Sequence, residues 1–144
     1  MSDLMNKLSV IMADTYTLYL KTQNYHWHVK GPQFKPLHDL FEMQYRELAE
    51  AVDAIAERML MLGHKAPATF KAFEQLKTIE EGNSDLSANQ MVRELSDNHV
   101  SLLKDLNQAM SLAQKNNDEG TISLLSERIA AHEKVHWMLK ASCE

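Results

Sequence analysis

Breaks are scarce in this chain. Four glycines and three prolines are spread over 144 residues, at Gly31, Pro32 and Pro36, at Gly63 and Pro67, at Gly82, and at Gly120. A backbone with so few places to turn is confined to long regular elements. Between the breaks the apolar residues recur at steps of three and four, the spacing that lines one face of a helix. Leu4, Leu8, Ile11, Thr15, Leu18, Thr22 and Tyr25 form one such stripe, and Leu37, Phe41, Leu48, Val52, Ile55, Met59 and Leu62 a second. Met91, Leu95, Leu102, Leu106 and Ala109 mark a third helix opened by Ser87; Ile122, Leu125, Ile129 and Leu139 mark a fourth. No run alternates at period two, and no Asn-Gly or Asp-Gly turn joins two apolar segments, so an all-α chain is expected.

Connection lengths narrow the topology. Short links force antiparallel neighbours, whereas a long one can cross the length of a bundle. Helices one and two are joined by a few residues, as are three and four, but residues 63–86 form a long link with room for a short helix around Thr69 to Leu76. Such a crossover sets helix three parallel to helix two, which is the ferritin-like way of connecting four helices. Residues 1–144 are expected to form one domain, a length sufficient for a core of its own.

Composition excludes several classes of function. A lone Cys143 cannot form an internal disulfide and suits a reducing, cytoplasmic setting. No stretch approaches the ~18 apolar residues of a membrane span, and the chain shows no secretion signal. A net charge of −5 without a basic block argues against bulk attraction to nucleic acid or anionic lipid.

His26, His38, Asp53 and Glu57 are the candidate chemical set. His26 and His38 flank the Gly31-Pro32 break, which brings both to one end of a helical hairpin. Asp53 and Glu57 are four residues apart and project from one helical face. Fifteen residues of helix separate Asp53 from His38, however, roughly 22 Å at the usual rise. No single metal spans that. Two copies packed antiparallel about a two-fold axis would bring the histidine end of one to the carboxylate turn of the other, giving two equivalent shared sites. Taken singly, each residue has a plainer reading as a solvated or hydrogen-bonded side chain; together, bordering a packed face, they make carboxylates without partners costly. Mixed imidazole and carboxylate donors suit Fe(II), Zn or Mn.

The segments Asn24-Tyr25-His26-Trp27-His28-Val29-Lys30-Gly31-Pro32, Phe34, Leu37-His38, Phe41 and Asp53-Ala54-Ile55-Ala56-Glu57-Arg58 resemble the Dps family, the miniferritins named for a DNA-binding protein from starved cells. The match is dense over residues 20–75 and looser beyond. The resemblance implies a homo-oligomeric shell of twelve subunits built from two-fold dimers. Its interfaces would hold ferroxidase centres that oxidise Fe(II), preferentially with hydrogen peroxide, and its interior would store ferric mineral against oxidative stress. It makes His26 an iron ligand from one subunit, Asp53 and Glu57 ligands from the partner, and His38 part of the second, weaker iron position. Glu42 stands where many relatives carry a shorter Asp and would reach that second iron or its water. Trp27 is either an electron donor beside the centre or an aromatic packed at the interface. Such a site needs ionised carboxylates and unprotonated imidazoles, so activity should fall at acid pH.

Other features compete. His132-Glu133-Lys134-Val135-His136 has the spacing of the zinc-hydrolase signature, but only eight residues follow it, leaving no helix to bring a third ligand. Packed histidines continuing the stripe of Ile129 are the plainer expectation. Glu133 and His136 also spell half of an intrachain di-iron motif, which fails because helix one carries no glutamate. Glu47 and Glu50 could nucleate mineral or simply form a solvated face. Asp118, Glu119 and Glu127 could line an acidic pore, although Ser123 stands where relatives often have Asp. A DNA-compacting shell is the non-enzymatic alternative; with only Lys7 and Lys140 near the termini and no basic tail, DNA binding should be weak.

Overall fold

The computed structural model describes residues 2–143, among which there are five helices and no strand. They are α1 (Ser2–His28), α2 (Phe34–Met61), α3 (Phe70–Leu76), α4 (Ala88–Lys115) and α5 (Glu119–Ala141). Three starts are capped by the side chain ahead of them. Thr69 accepts from the Ala72 amide, Ser87 and Gln90 make a reciprocal capping box, and Asp118 accepts from the Thr121 amide. Two ends close in the left-handed turn that favours glycine. Gly63 has φ +84°, its amide bonds Leu60 O at 2.9 Å, and the His64 amide bonds Met59 O at 3.0 Å. Asn117, φ +53°, ends α4 with the equivalent pair of bonds to Gln114 O and Ala113 O.

Two punctuation residues play roles the sequence did not suggest. Pro36 lies in the first turn of α2, where a missing amide proton costs nothing. Gly120 lies in the first turn of α5; the break is Asn116-Asn117-Asp118. A Cβ at 120 would stand 2.6 Å from the Arg58 guanidinium, so a larger residue there would displace that side chain.

Side-chain pairs give the directions. Lys21 and Tyr25 of α1 meet Glu94 of α4, while Lys7 meets Asp105, so α1 and α4 run antiparallel. Arg58 meets Asp118 and Thr121, and Glu47 meets Arg128, so α2 and α5 run antiparallel. With α1 and α2 joined by a short hairpin, α2 and α4 are parallel, as the long crossover required. The stripes are the core: Leu4, Leu8, Ile11, Leu18, Tyr25, Phe41, Leu48, Ile55, Met59, Met91, Leu95, Leu102, Leu106 and Leu125 are all buried. Thr15 and Thr22 keep their places in it by donating to Ile11 O and Leu18 O one turn back.

The crossover is tied to α1 by buried polar groups. The Asp14 carboxylate accepts from the amides of Thr78 (2.7 Å) and Ile79 (2.9 Å) and from the Thr78 hydroxyl (2.6 Å). Lys21 Nζ donates to Glu80 O and pairs with Glu94, which also accepts the Tyr25 phenol at 2.6 Å. Burial, with the bond to Glu94, pushes the Tyr25 phenol well above its ordinary value. No described helix is long and apolar enough to cross a membrane.

Candidate metal centre

The short α1–α2 hairpin puts His26, from the last turn of α1, against His38, one turn into α2. Their rings stack with centroids 3.9 Å apart and planes 16° from parallel. Each Nδ1–H donates to the other residue's backbone carbonyl at 2.7 Å. A carbonyl only accepts, so both Nδ1 atoms carry a proton, and in the neutral rings the Nε2 lone pairs are the ones left for a ligand. Backbone carbonyls that fix tautomer and ring orientation in this way are the usual outer partners of metal-binding histidines. Phe34 stacks on the far face of His38 with centroids 5.0 Å apart.

Glu42, one turn beyond His38, supplies a carboxylate. Its Oε1 is 3.8 Å from His26 Nε2, and its Oε2 accepts from Arg46 Nε at 3.0 Å. One donor atom from each of His26, His38 and Glu42 lies within 4.8 Å of the others, so the three can converge on one metal ion. Asp53 and Glu57 do not join them. Both are exposed on the same face of α2, about 22 Å (Asp53) and about 28 Å (Glu57) along the helix from His38. Within one chain their carboxylates are solvated, so the desolvation cost expected from the sequence does not arise there.

The remaining sequence candidates separate from this centre. His132 is buried, and both its ring nitrogens are engaged: Nε2 accepts from Arg128 at 2.9 Å, and Nδ1 meets His99 Nδ1 at 2.8 Å. Arginine only donates, so the His132 proton sits on Nδ1 and points to His99. Burial first, and then the Arg128 charge, hold His99 down at about 3; burial, His99 and Arg128 hold His132 well below its ordinary value. Glu133 is exposed. The His132-Glu133-x-x-His136 motif is therefore a packing element, with His136 bonded to Ser96 of α4. Glu47 is ion-paired with Arg128 and is not a free cavity acid, while Glu50 is exposed. Asp118 is consumed by capping α5 and pairing with Arg58 at 2.7 Å; its bonds to Thr121 and Arg58 outweigh burial and lower its pKa. Glu119 and Glu127 are exposed. Trp27 is 59% exposed.

This frame of helices has close counterparts. The ferritin-like domain matches residues 5–144. The DNA protection during starvation protein 2 of Bacillus anthracis is 40% identical over 130 residues, covering 90% of this chain and 89% of that protein. The chain belongs to the Dps family. A Dps protein from Bacillus brevis superposes with a TM-score of 0.96 at 35% identity, covering 99% of this chain and 96% of that one. The Dps protein of Vibrio cholerae O1, described as a member of a broad superfamily of ferritin-like diiron-carboxylate proteins, superposes with a TM-score of 0.93 at 32% identity, covering 97% and 88%. The expected ferritin-like bundle with its crossover helix is thus the observed Dps fold.

Sequence reasoning missed Tyr45. Its ring stands edge-on to His26, with centroids 5.3 Å apart and planes at 66°. The signal was available: residues 38, 42 and 45 follow the four-and-three spacing that puts them on one face of α2. The two orienting carbonyls had no signal, since every residue carries one.

Proposed function

We propose that this chain is a ferroxidase and iron store that removes Fe(II) and hydrogen peroxide together. The observation that carries the reading is the histidine pair locked through Nδ1, which leaves both Nε2 atoms for a ligand beside Glu42 at one end of α2, with two solvated carboxylates, Asp53 and Glu57, near the other. Neither half is complete alone. In a two-fold dimer with α2 helices antiparallel, His26 of one subunit and Asp53 and Glu57 of its partner bind the first Fe(II). His38 and Glu42 take the second, weaker iron. The diiron-carboxylate description of the Vibrio cholerae relative supports iron as the substrate.

Two irons match the oxidant. Peroxide accepts two electrons, so two Fe(II) and one H2O2 with two protons give two Fe(III) and two waters, and no hydroxyl radical forms. Carboxylates favour the harder ferric product, and neutral imidazoles bind the ferrous substrate. The whole chain acts as one ferritin-like domain in a dodecameric cytoplasmic shell that holds the ferric mineral. DNA binding is weak, because Lys7 is tied to Asp105 and Gln108 and the 144 residues carry a net charge of −5 with no basic block. A gel shift at low and moderate salt tests that point, and retention at moderate salt would contradict it.

The test of the main reading is anaerobic Fe(II) followed by peroxide, monitored by ferric absorbance. Wild-type assembly should oxidise iron rapidly, and Asp53→Ala with Glu57→Ala should lose that phase. Equal rates in both would remove the shared site.

A further inference from the structure

The ring of Tyr45 does more than pack against His26: it begins a continuous aromatic path. Tyr45 contacts Tyr19 with centroids 6.0 Å apart, and Tyr19 contacts Tyr16 at 5.6 Å in an edge-on arrangement. Tyr16 then stacks on Phe73 of α3 at 4.8 Å. These separations lie in the contact range for aromatic pairs. Three of the chain's four tyrosines stand in line from a proposed iron ligand, and the line ends where phenylalanine, which has no phenol to oxidise, begins. The fourth, Tyr25, lies apart with its phenol bonded to Glu94.

We propose that Tyr45, Tyr19 and Tyr16 are an electron relay for the case in which peroxide meets a site holding a single Fe(II). This rests on the ferroxidase reading above. The one iron supplies one electron and Tyr45 the other. The O–O bond breaks, the Tyr45 phenol proton passes to solvent, and the oxidising equivalent moves to Tyr19 and Tyr16 by electron transfer back along the path. In balance, H2O2, Fe(II), one tyrosine and one proton give Fe(III), a neutral tyrosyl radical and two waters. A hydroxyl radical that would otherwise leave the site is replaced by a radical held inside the helix pair. Tyr45, Tyr19 and Tyr16 are all half-buried, which leaves the phenol proton a route to water while shielding the radical.

The experiment loads the assembled protein with Fe(II) at one ion per site, adds peroxide, freezes the mixture rapidly and records electron paramagnetic resonance. Wild type should give a tyrosyl signal that narrows when the protein is grown on ring-deuterated tyrosine. The signal per ferric ion formed should fall several-fold in Tyr45→Phe. In Tyr19→Phe it should appear but decay faster, because the radical cannot spread. An undiminished tyrosyl signal in Tyr45→Phe, a tryptophan signal in its place, or no protein radical would each overturn the relay, provided wild type at two irons per site oxidises normally. Failure of that two-iron reaction would instead remove the ferroxidase reading.

Discussion

Asp14 is buried in the middle of α1, yet its two oxygens serve three donors of the crossover. Asp14→Ala leaves two backbone amides without their acceptor, and a loss of about 2–4 kcal/mol is expected; denaturant midpoints of the two proteins measure it. His99 and His132 make a different prediction. Both are buried neutral, with pKa values below the ordinary 6.5. Above pH 6.5 neither state binds these protons. As pH falls below 6.5 the unfolded chain takes them up and the native state does not, so stability declines down to about pH 3, where His99 protonates in place. The slope is about 1.4 kcal/mol per pH unit for each group. His99→Gln should therefore flatten the dependence of stability on pH between 6.5 and 5, and an unchanged slope would contradict the account. The charges facing this pair are Arg128 and His136 on α5 and, through Arg128, Glu47 on α2.

Among the elements, α4 is the one whose start depends most plainly on a named side chain. Ser87 and Gln90 satisfy each other's backbone amides, so Ser87→Ala should cost about 1 kcal/mol, read from thermal or chemical unfolding. Helices of this kind are legible from sequence because each stripe repeats its message over many residues: α1 buried every position its spacing indicated, and the second stripe all but Val52 and Leu62, which are partly buried. Single punctuation residues carry no such redundancy. Gly120 looked like a break but sits in the first turn of α5, close against the Arg58 guanidinium, and the left-handed turn went to Asn117. The centre was partly legible for the same reason. Spacing put Glu42 one turn from His38 and Tyr45 on the same face, but no spacing indicates that His26 and His38 lock each other through backbone carbonyls, because that depends on how the hairpin closes. Nor did the sequence suggest that Glu47 and Arg128, on different helices, would pair.

At the scale of the whole molecule, the proposed chemistry belongs to a pair of chains. His26, His38 and Glu42 converge within one chain, whereas Asp53 and Glu57 stand exposed far along α2. Large apolar side chains remain on the surface as well, including Phe70 at 84% and Met61 at 71% exposure, which suits the proposed assembly. Sharing can be measured directly by complementation. One variant carries His26→Ala and His38→Ala, the other Asp53→Ala and Glu57→Ala, and each alone should be inactive toward Fe(II) and peroxide. Co-expressed at equal levels, half of the dimers are mixed, and each mixed dimer has one intact site of its two, so roughly a quarter of the wild-type oxidation rate per site should return. If the mixed assemblies form but recover nothing, or if either variant alone is active, the shared centre is contradicted.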